Sequence, residues 1–188
     1  MKKHHVYGIG NALVDIEYQI AESVLTDLSV DKNLMTLIDH ERCQAILSHL
    51  KSLNLTAHKA CAGSAANTMI TLAQLGNNAF YSCKVANDLS GDFYLHDLLK
   101  AHVATNLSSQ TRQTGTTGNC IVMVTPDAHR SMSTYLGITA DFSPAELVKN
   151  EITQSQYLYI EGYLIASPTA RAAMKEAKNI AIDNGVNT

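Results

Sequence analysis

Cys61-Ala62-Gly63-Ser64-Ala65-Ala66-Asn67-Thr68 is a run of small residues placed where an extended segment turns into a helix. Small side chains let another group approach the backbone, and the opening turn of a helix presents unbonded N–H groups. The helix predicted from Ser64, as its capping residue, runs through Leu75, and Gly76 closes it as the residue type suited to a left-handed cap. Asn67 lies in the first turn and offers a donor and an acceptor to a hydroxyl-rich ligand. Taken alone, the same residues also describe an ordinary capped helix.

Working outward, Ala79 to Val85 reads as a strand, and Ser90 starts a helix carrying Phe93, Leu95, Leu98 and Leu99. Asp39 caps a helix through Leu50, with Cys43, Ile46, Leu47 and Leu50 on one face. Val6 to Gly10 is a short apolar run suited to a buried strand, and Leu158-Tyr159-Ile160 is another. Ser143-Pro144 and Ser167-Pro168 each open a helix with proline at its first position. Strands alternating with helices of about a dozen residues predict an α/β fold, a mostly parallel sheet with helices on both faces. Two regions depart from it: Ile16, Tyr18 and Ile20 alternate with Glu17 and Gln19, and Gly118–Leu136 holds two strands turning at Pro126-Asp127. Their polarity suits strands with one wet face, read as a small antiparallel sheet, a lid over residues 11–21 and 116–137.

Composition excludes several classes. With 188 residues the chain can bury a core, and 46% hydrophobic against 16% charged residues is a globular balance. A net charge of −3 without a Lys/Arg run leaves no footprint for nucleic acid or an anionic membrane. No apolar stretch approaches a bilayer span, and Met1-Lys2-Lys3-His4-His5 leads into a strand rather than a signal-peptide core. Cys43, Cys61, Cys83 and Cys120 lack paired spacing, so neither a structural zinc site nor a disulfide framework is expected. Reduced thiols suit a cytoplasmic protein. No metal site is predicted among the dispersed histidines.

Gly8-Ile9-Gly10-Asn11-Ala12-Leu13 superficially suggests a dinucleotide fingerprint. It lacks the third glycine, and a strand pattern follows it, so no helix N-terminus receives a pyrophosphate. A strand end that carries Asn11 and Asp15 into a cleft is the better reading, because ligands of open α/β sheets sit beyond the carboxyl ends of strands. A local Asx-turn is the alternative for both side chains.

Together these stretches carry more than each does alone. Ala62 to Thr68, then Gly76, then Val85-Ala86-Asn87-Asp88-Leu89-Ser90-Gly91 resemble the N-terminal signature of the ribokinase-like carbohydrate kinases, the PfkB family. Gly8 to Ile16, Leu34-Met35-Thr36-Leu37-Ile38-Asp39, Thr125 to Gly137, and Tyr159-Ile160-Glu161-Gly162-Tyr163-Leu164 resemble its adenosine-kinase-like branch. The matches run in family order along nearly the whole chain.

The resemblance implies a kinase moving the γ-phosphoryl of ATP, with Mg²⁺, to a primary hydroxyl of a sugar or purine nucleoside. It implies that Asp15 grips a ribose diol with Asn11 beside it, and that Gly63, Ser64 and Asn67 hold the sugar from a turn that also hinges the lid. Ala62 stands where relatives usually carry the first of two glycines. Arg130 would approach the phosphates, with a solvated turn arginine as the alternative, and Glu161 would contact substrate, with helix-start polarity as the alternative. The edges of the lid strands could pair two copies of the chain.

The second signature of the family, a Gly-Ala-Gly-Asp turn supplying the anion hole and the proton-accepting aspartate, does not occur in these 188 residues, nor does a Walker-type phosphate loop. Asp88, Asp92 and Asp97 lie near a helix start and have no claim to that role. The predicted last helix ends at Gly185, and the three residues that follow read as the start of a further strand. The sequence is therefore read as the N-terminal, substrate-and-lid portion of such a kinase, inactive alone, with no catalytic base and its nucleotide-binding part absent. The competing reading is a non-catalytic ligand-binding or subunit-interface domain complete at this length.

Overall fold

Apolar runs and alternation resolve into two sheets that share one core, with a second core on the far face of the parallel sheet. The structure, a computed structural model, describes residues 2–108, Gln110 and 112–188. Strands β1 (His4–Ile9), β5 (Ala79–Ser82), β6 (Ala104–Thr105) and β9 (Ser155–Ile160) form a parallel sheet in the order β6-β5-β1-β9. Strands β2 (Leu13–Gln19), β3 (Met35–Leu37), β4 (Ala57–Ala62), β7 (Thr117–Val124) and β8 (Arg130–Gly137) form a second sheet in the order β3-β8-β7-β2-β4.

Helices cover both faces of the parallel sheet, as the alternating pattern predicts. On one face lie α3 (Ser64–Gln74) and α4 (Leu89–Lys100), burying Ala65, Ala66, Met69, Tyr94 and Leu98 against Ala79 and Tyr81. On the other, α5 (Lys149–Thr153) and α6 (Pro168–Asp183) cover Tyr7, Ile9, Phe80 and Leu158. The buried stripe of α6 is Ala170, Ala173, Ala177 and Ala181, a helical spacing of methyl groups that brings the backbone close to the sheet. Ser167 caps this helix by accepting from Ala170 N.

The second sheet buries one face on α1 (Glu22–Asp27) and α2 (His40–Ser52). Val14, Ile16 and Tyr18 alternate inward to meet Cys43, Ile46, Leu47 and Leu50, and this cluster is continuous with the core beneath α3 and α4. Asp39 caps α2 through Arg42 N, worth about 1 kcal/mol.

Several expectations change in three dimensions. The second sheet is mixed rather than antiparallel: β2 runs parallel to β7 and antiparallel to β4, and β3 runs parallel to β8. Strand β7, read as half wet, is buried along nearly its whole length because it is the central strand of five. Within β9, Leu158-Tyr159-Ile160, read as buried, leaves Tyr159 36% exposed while Leu158 is 3% exposed. The strand after Gly76 ends at Ser82 rather than Val85. Asp88 rather than Ser90 caps α4, and Leu99 faces solvent while Tyr94 and Leu98 form the buried face. The segment after Ser143 is a single 3-10 turn, Pro144–Glu146, held by a capping box. Past Gly185, Asn187 bridges Tyr157 in parallel register, so pairing beside β9 does begin there.

Candidate functional site

At the carboxyl end of β1 four of the predicted site residues meet: Asn11, Gly63, Ser64 and Glu161. Leaving β1, the chain passes Gly10, Asn11 and Ala12 before entering β2, and every backbone polar group of Asn11 is bonded. Its N–H donates to Glu161 Oε2, and its carbonyl accepts from Tyr81 Oη at 3.0 Å. The next amide, of Ala12, donates to Thr139 Oγ1 at 2.9 Å. The peptide is thus immobilised from three elements. Nothing among the described residues bonds the side-chain amides of Asn11 or Asn67, which stay available to a ligand.

Gly63 approaches this peptide from the other side. It sits between β4 and α3 with φ at +108°, a region open to glycine, and a β-carbon there would collide with the Asn11 carbonyl oxygen. Here the capping prediction is corrected. Gly63 occupies the N-cap of α3, and Ser64 is its first helical residue. The Ser64 hydroxyl donates to Glu161 Oε1 at 2.5 Å instead of capping the helix. Glu161, 3% exposed at the end of β9, therefore spends both carboxylate oxygens inside the protein, one on Ser64 and one on Asn11. Asn67 stands exposed one turn further along α3.

Asp15 lies on the uncovered face of the second sheet, opposite Ala60 of β4 and Cys120 of β7. Burial raises its carboxyl above the ordinary range. The charge of Arg130 and a hydrogen bond with the Cys120 thiol oppose that rise, and Glu17 adds to it. Thr134 Oγ1 donates in turn to Cys120 Sγ at 3.4 Å. Arg130 opens β8 as an exposed residue, and alternation along β8 puts it on the same face as Thr134 and Asp15. Sequence reasoning did not single out Gly10, Tyr81, Cys120 or Thr139 as parts of this site. Cys120 was legible only as one of four thiols, because its neighbour Asp15 is far away in sequence.

Asn11, Gly63, Ser64 and Glu161 thus form one contiguous cluster, with Asp15 and Arg130 together on the adjoining sheet face. The arrangement can present a carboxylate, two free amides and a hydroxyl oxygen to a polyol, each a group that pairs with O–H. Among the described residues no group of three His, Cys, Asp or Glu side chains converges as an all-protein metal cage. Arg130 is an exposed cation on this sheet face. A cavity of about 240 Å³ opens beyond β5 and β6, but its Lys84 is paired to Glu146 at 3.1 Å.

Comparison with known proteins identifies relatives of this sequence and fold. A sequence profile described as pfkB family carbohydrate kinase matches residues 31–188. The crystal structure of adenosine kinase from Sinorhizobium meliloti superposes with a TM-score of 0.86 at 35% identity, covering 98% of this chain and 55% of that one. A probable sugar kinase protein from Rhizobium etli CFN 42 gives a TM-score of 0.87 at 32% identity, covering 99% of this chain and 55% of that one. Ribokinase from Mus musculus is 30% identical over 126 residues, which are 67% of this chain and 38% of that protein. The chain thus spans about half the length of the solved structures, and less of the ribokinase.

Proposed function

The chain belongs to the pfkB family of carbohydrate kinases, and on that premise we propose that it is the substrate-binding part of an ATP-dependent kinase. The acceptor is a primary hydroxyl of a sugar or a purine nucleoside of the adenosine type. The observation that carries this reading is the convergence of Asn11, Gly63 and Ser64 at the end of β1, with Asp15 on the open sheet face beside them.

Asp15 accepts two hydroxyls of a ribose diol, each charge-assisted bond contributing about 1.5–3 kcal/mol. Asn11 and Asn67 supply amides to the remaining hydroxyls, and the absence of a side chain at Gly63 lets the sugar reach the backbone. Glu161 stands behind these residues rather than against the sugar. Arg130 lies on the same face as Asp15 and meets the phosphates of ATP. Phosphoryl transfer is mostly positioning and charge neutralisation, so a sugar clamp beneath a lid is a substantial share of the machinery. The Gly-Ala-Gly-Asp turn that supplies the family's proton acceptor and anion hole does not occur in these 188 residues.

The second sheet, with β2, β7 and β8, serves as the lid. Its edge strand β4 exposes Ala57 to Ala60 and is where a second copy pairs, giving a homodimer. A cytoplasmic location suits four buried, free thiols.

The decisive experiment is a panel of nucleosides and sugars with ATP, run on the gene product that carries these 188 residues. Transfer to adenosine or ribose is expected. Failure of every acceptor, with adenosine still bound, would favour a ligand-binding domain without catalysis.

A further inference from the structure

Glu161 is a buried carboxylate without a cationic partner: among the described residues it takes part in no ion pair. A bare carboxylate in such a place is costly unless neutral donors surround it. Two do: Asn11 N–H bonds Oε2 and Ser64 O–H bonds Oε1. The first turn of α3, which begins at Ser64, adds the positive end of the helix dipole. Its own backbone is fixed as well, Glu161 N–H donating to Ile9 O at 3.0 Å. Gly10 completes the arrangement, since a β-carbon there would stand against the Glu161 carboxylate and Ala65. The second glycine of Gly8-Ile9-Gly10 thus makes room for a carboxylate, not for a phosphate.

We propose that Glu161 is a positioning residue that holds Asn11 and Ser64 in register and sets the direction of the Ser64 hydroxyl proton. The inference rests on the reading of the Gly63–Asn67 turn as part of the substrate site. An ionised carboxylate can only accept, so the Ser64 proton points inward and the oxygen lone pairs are what a ligand meets. Ser64 then favours a ligand that donates, such as a sugar hydroxyl, over one that only accepts. Recognition at this turn selects a neutral polyol face and disfavours an anionic group.

Glu161→Gln tests the proton direction. The glutamine has one acceptor oxygen and an NH₂ group, so it cannot accept from both donors. The Asn11 N–H cannot rotate, whereas the Ser64 O–H can. The amide oxygen therefore stays with Asn11, the NH₂ donates to Ser64, and the Ser64 proton turns outward. Adenosine affinity of the gene product should fall about tenfold in Glu161→Gln, and adding the same change to Ser64→Ala should cost nothing further. Independent, additive losses in that cycle would overturn the proposal.

Hydrogen exchange tests the clamp without any ligand. Protection of the Asn11 amide should fall about tenfold or more in Glu161→Ala and be retained in Glu161→Gln, while the Val14 amide is unchanged. Unchanged Asn11 protection refutes the clamp. Glu161→Asp, which keeps the charge but shortens the reach, replaces Glu161→Ala should that variant not fold. If the unaltered gene product binds neither adenosine nor ribose, the substrate reading fails and with it the proton-direction proposal. The exchange result still decides the clamp.

Discussion

The carbonyl oxygen of Asn11 occupies the space where a β-carbon on Gly63 would stand. Two residues far apart in sequence therefore meet by backbone contact at the candidate site, and the contact dictates glycine twice over. Gly63 also has φ at +108°. Gly63→Ala should destabilise the fold by about 2–4 kcal/mol, read as a lower urea midpoint. A loss below about 0.5 kcal/mol would show that the turn relaxes freely.

Asp15 should trade stability for recognition. Its carboxyl is raised in the folded state by burial. Between the unfolded and folded values the native protein holds more protons, so stability falls as pH rises through that window. Removing the ionisable group with Asp15→Asn should therefore leave the ligand-free protein as stable or more stable at pH 7, by up to about 1 kcal/mol after allowance for solvent screening. The same variant should lose most of its affinity for a ribose diol in calorimetry. Unchanged affinity would remove Asp15 from the clamp.

Tyr81 should affect binding through Asn11. It is fully buried, and its hydroxyl donates to the Asn11 carbonyl at 3.0 Å. Tyr81→Phe leaves that carbonyl unpaired and should cost about 1–3 kcal/mol in chemical denaturation. In an active gene product KM for the acceptor should rise more than kcat falls.

Asp88 ties α4 to β7. It accepts from Gly91 N at 2.7 Å, from Thr117 N at 2.8 Å and from Thr117 Oγ1 at 2.6 Å. Losing the cap together with these bonds in Asp88→Ala should cost about 2–4 kcal/mol, with Asp88→Asn intermediate. Thermal denaturation of the two variants checks the order.

The cysteines should be inert while the protein is folded. All four are buried and free, and burial pushes the Cys120 thiol up to about 11 and Cys61 up to about 12. Titration with a thiol reagent at pH 8 should be slow in the native state and release all four equivalents in guanidinium. Fast modification of one thiol would mean that its cover opens readily.

Much of the fold was legible because local rules govern it. The α2 face of Cys43, Ile46, Leu47 and Leu50, its Asp39 cap, the Ser167-Pro168 start of α6 and the left-handed Gly76 follow from periodicity and capping chemistry alone. The exposure of β9 and the burial of β7 did not, because a strand's surroundings depend on its place in the sheet order. Strand order is a long-range property.

The site divides in the same way. By itself the sequence determined the candidates: residue type and local setting marked Asn11, Asp15, Gly63, Ser64 and Asn67, and the family resemblance added Arg130 and Glu161. Only the tertiary structure decided what each can do. It turned Ser64 from a helix cap into a donor to Glu161, and it spent both oxygens of Glu161 on Ser64 and Asn11. It also set Cys120 beside Asp15. A hydrogen bond uses a donor and an acceptor once, and which partner takes them depends on distances that chain order does not contain.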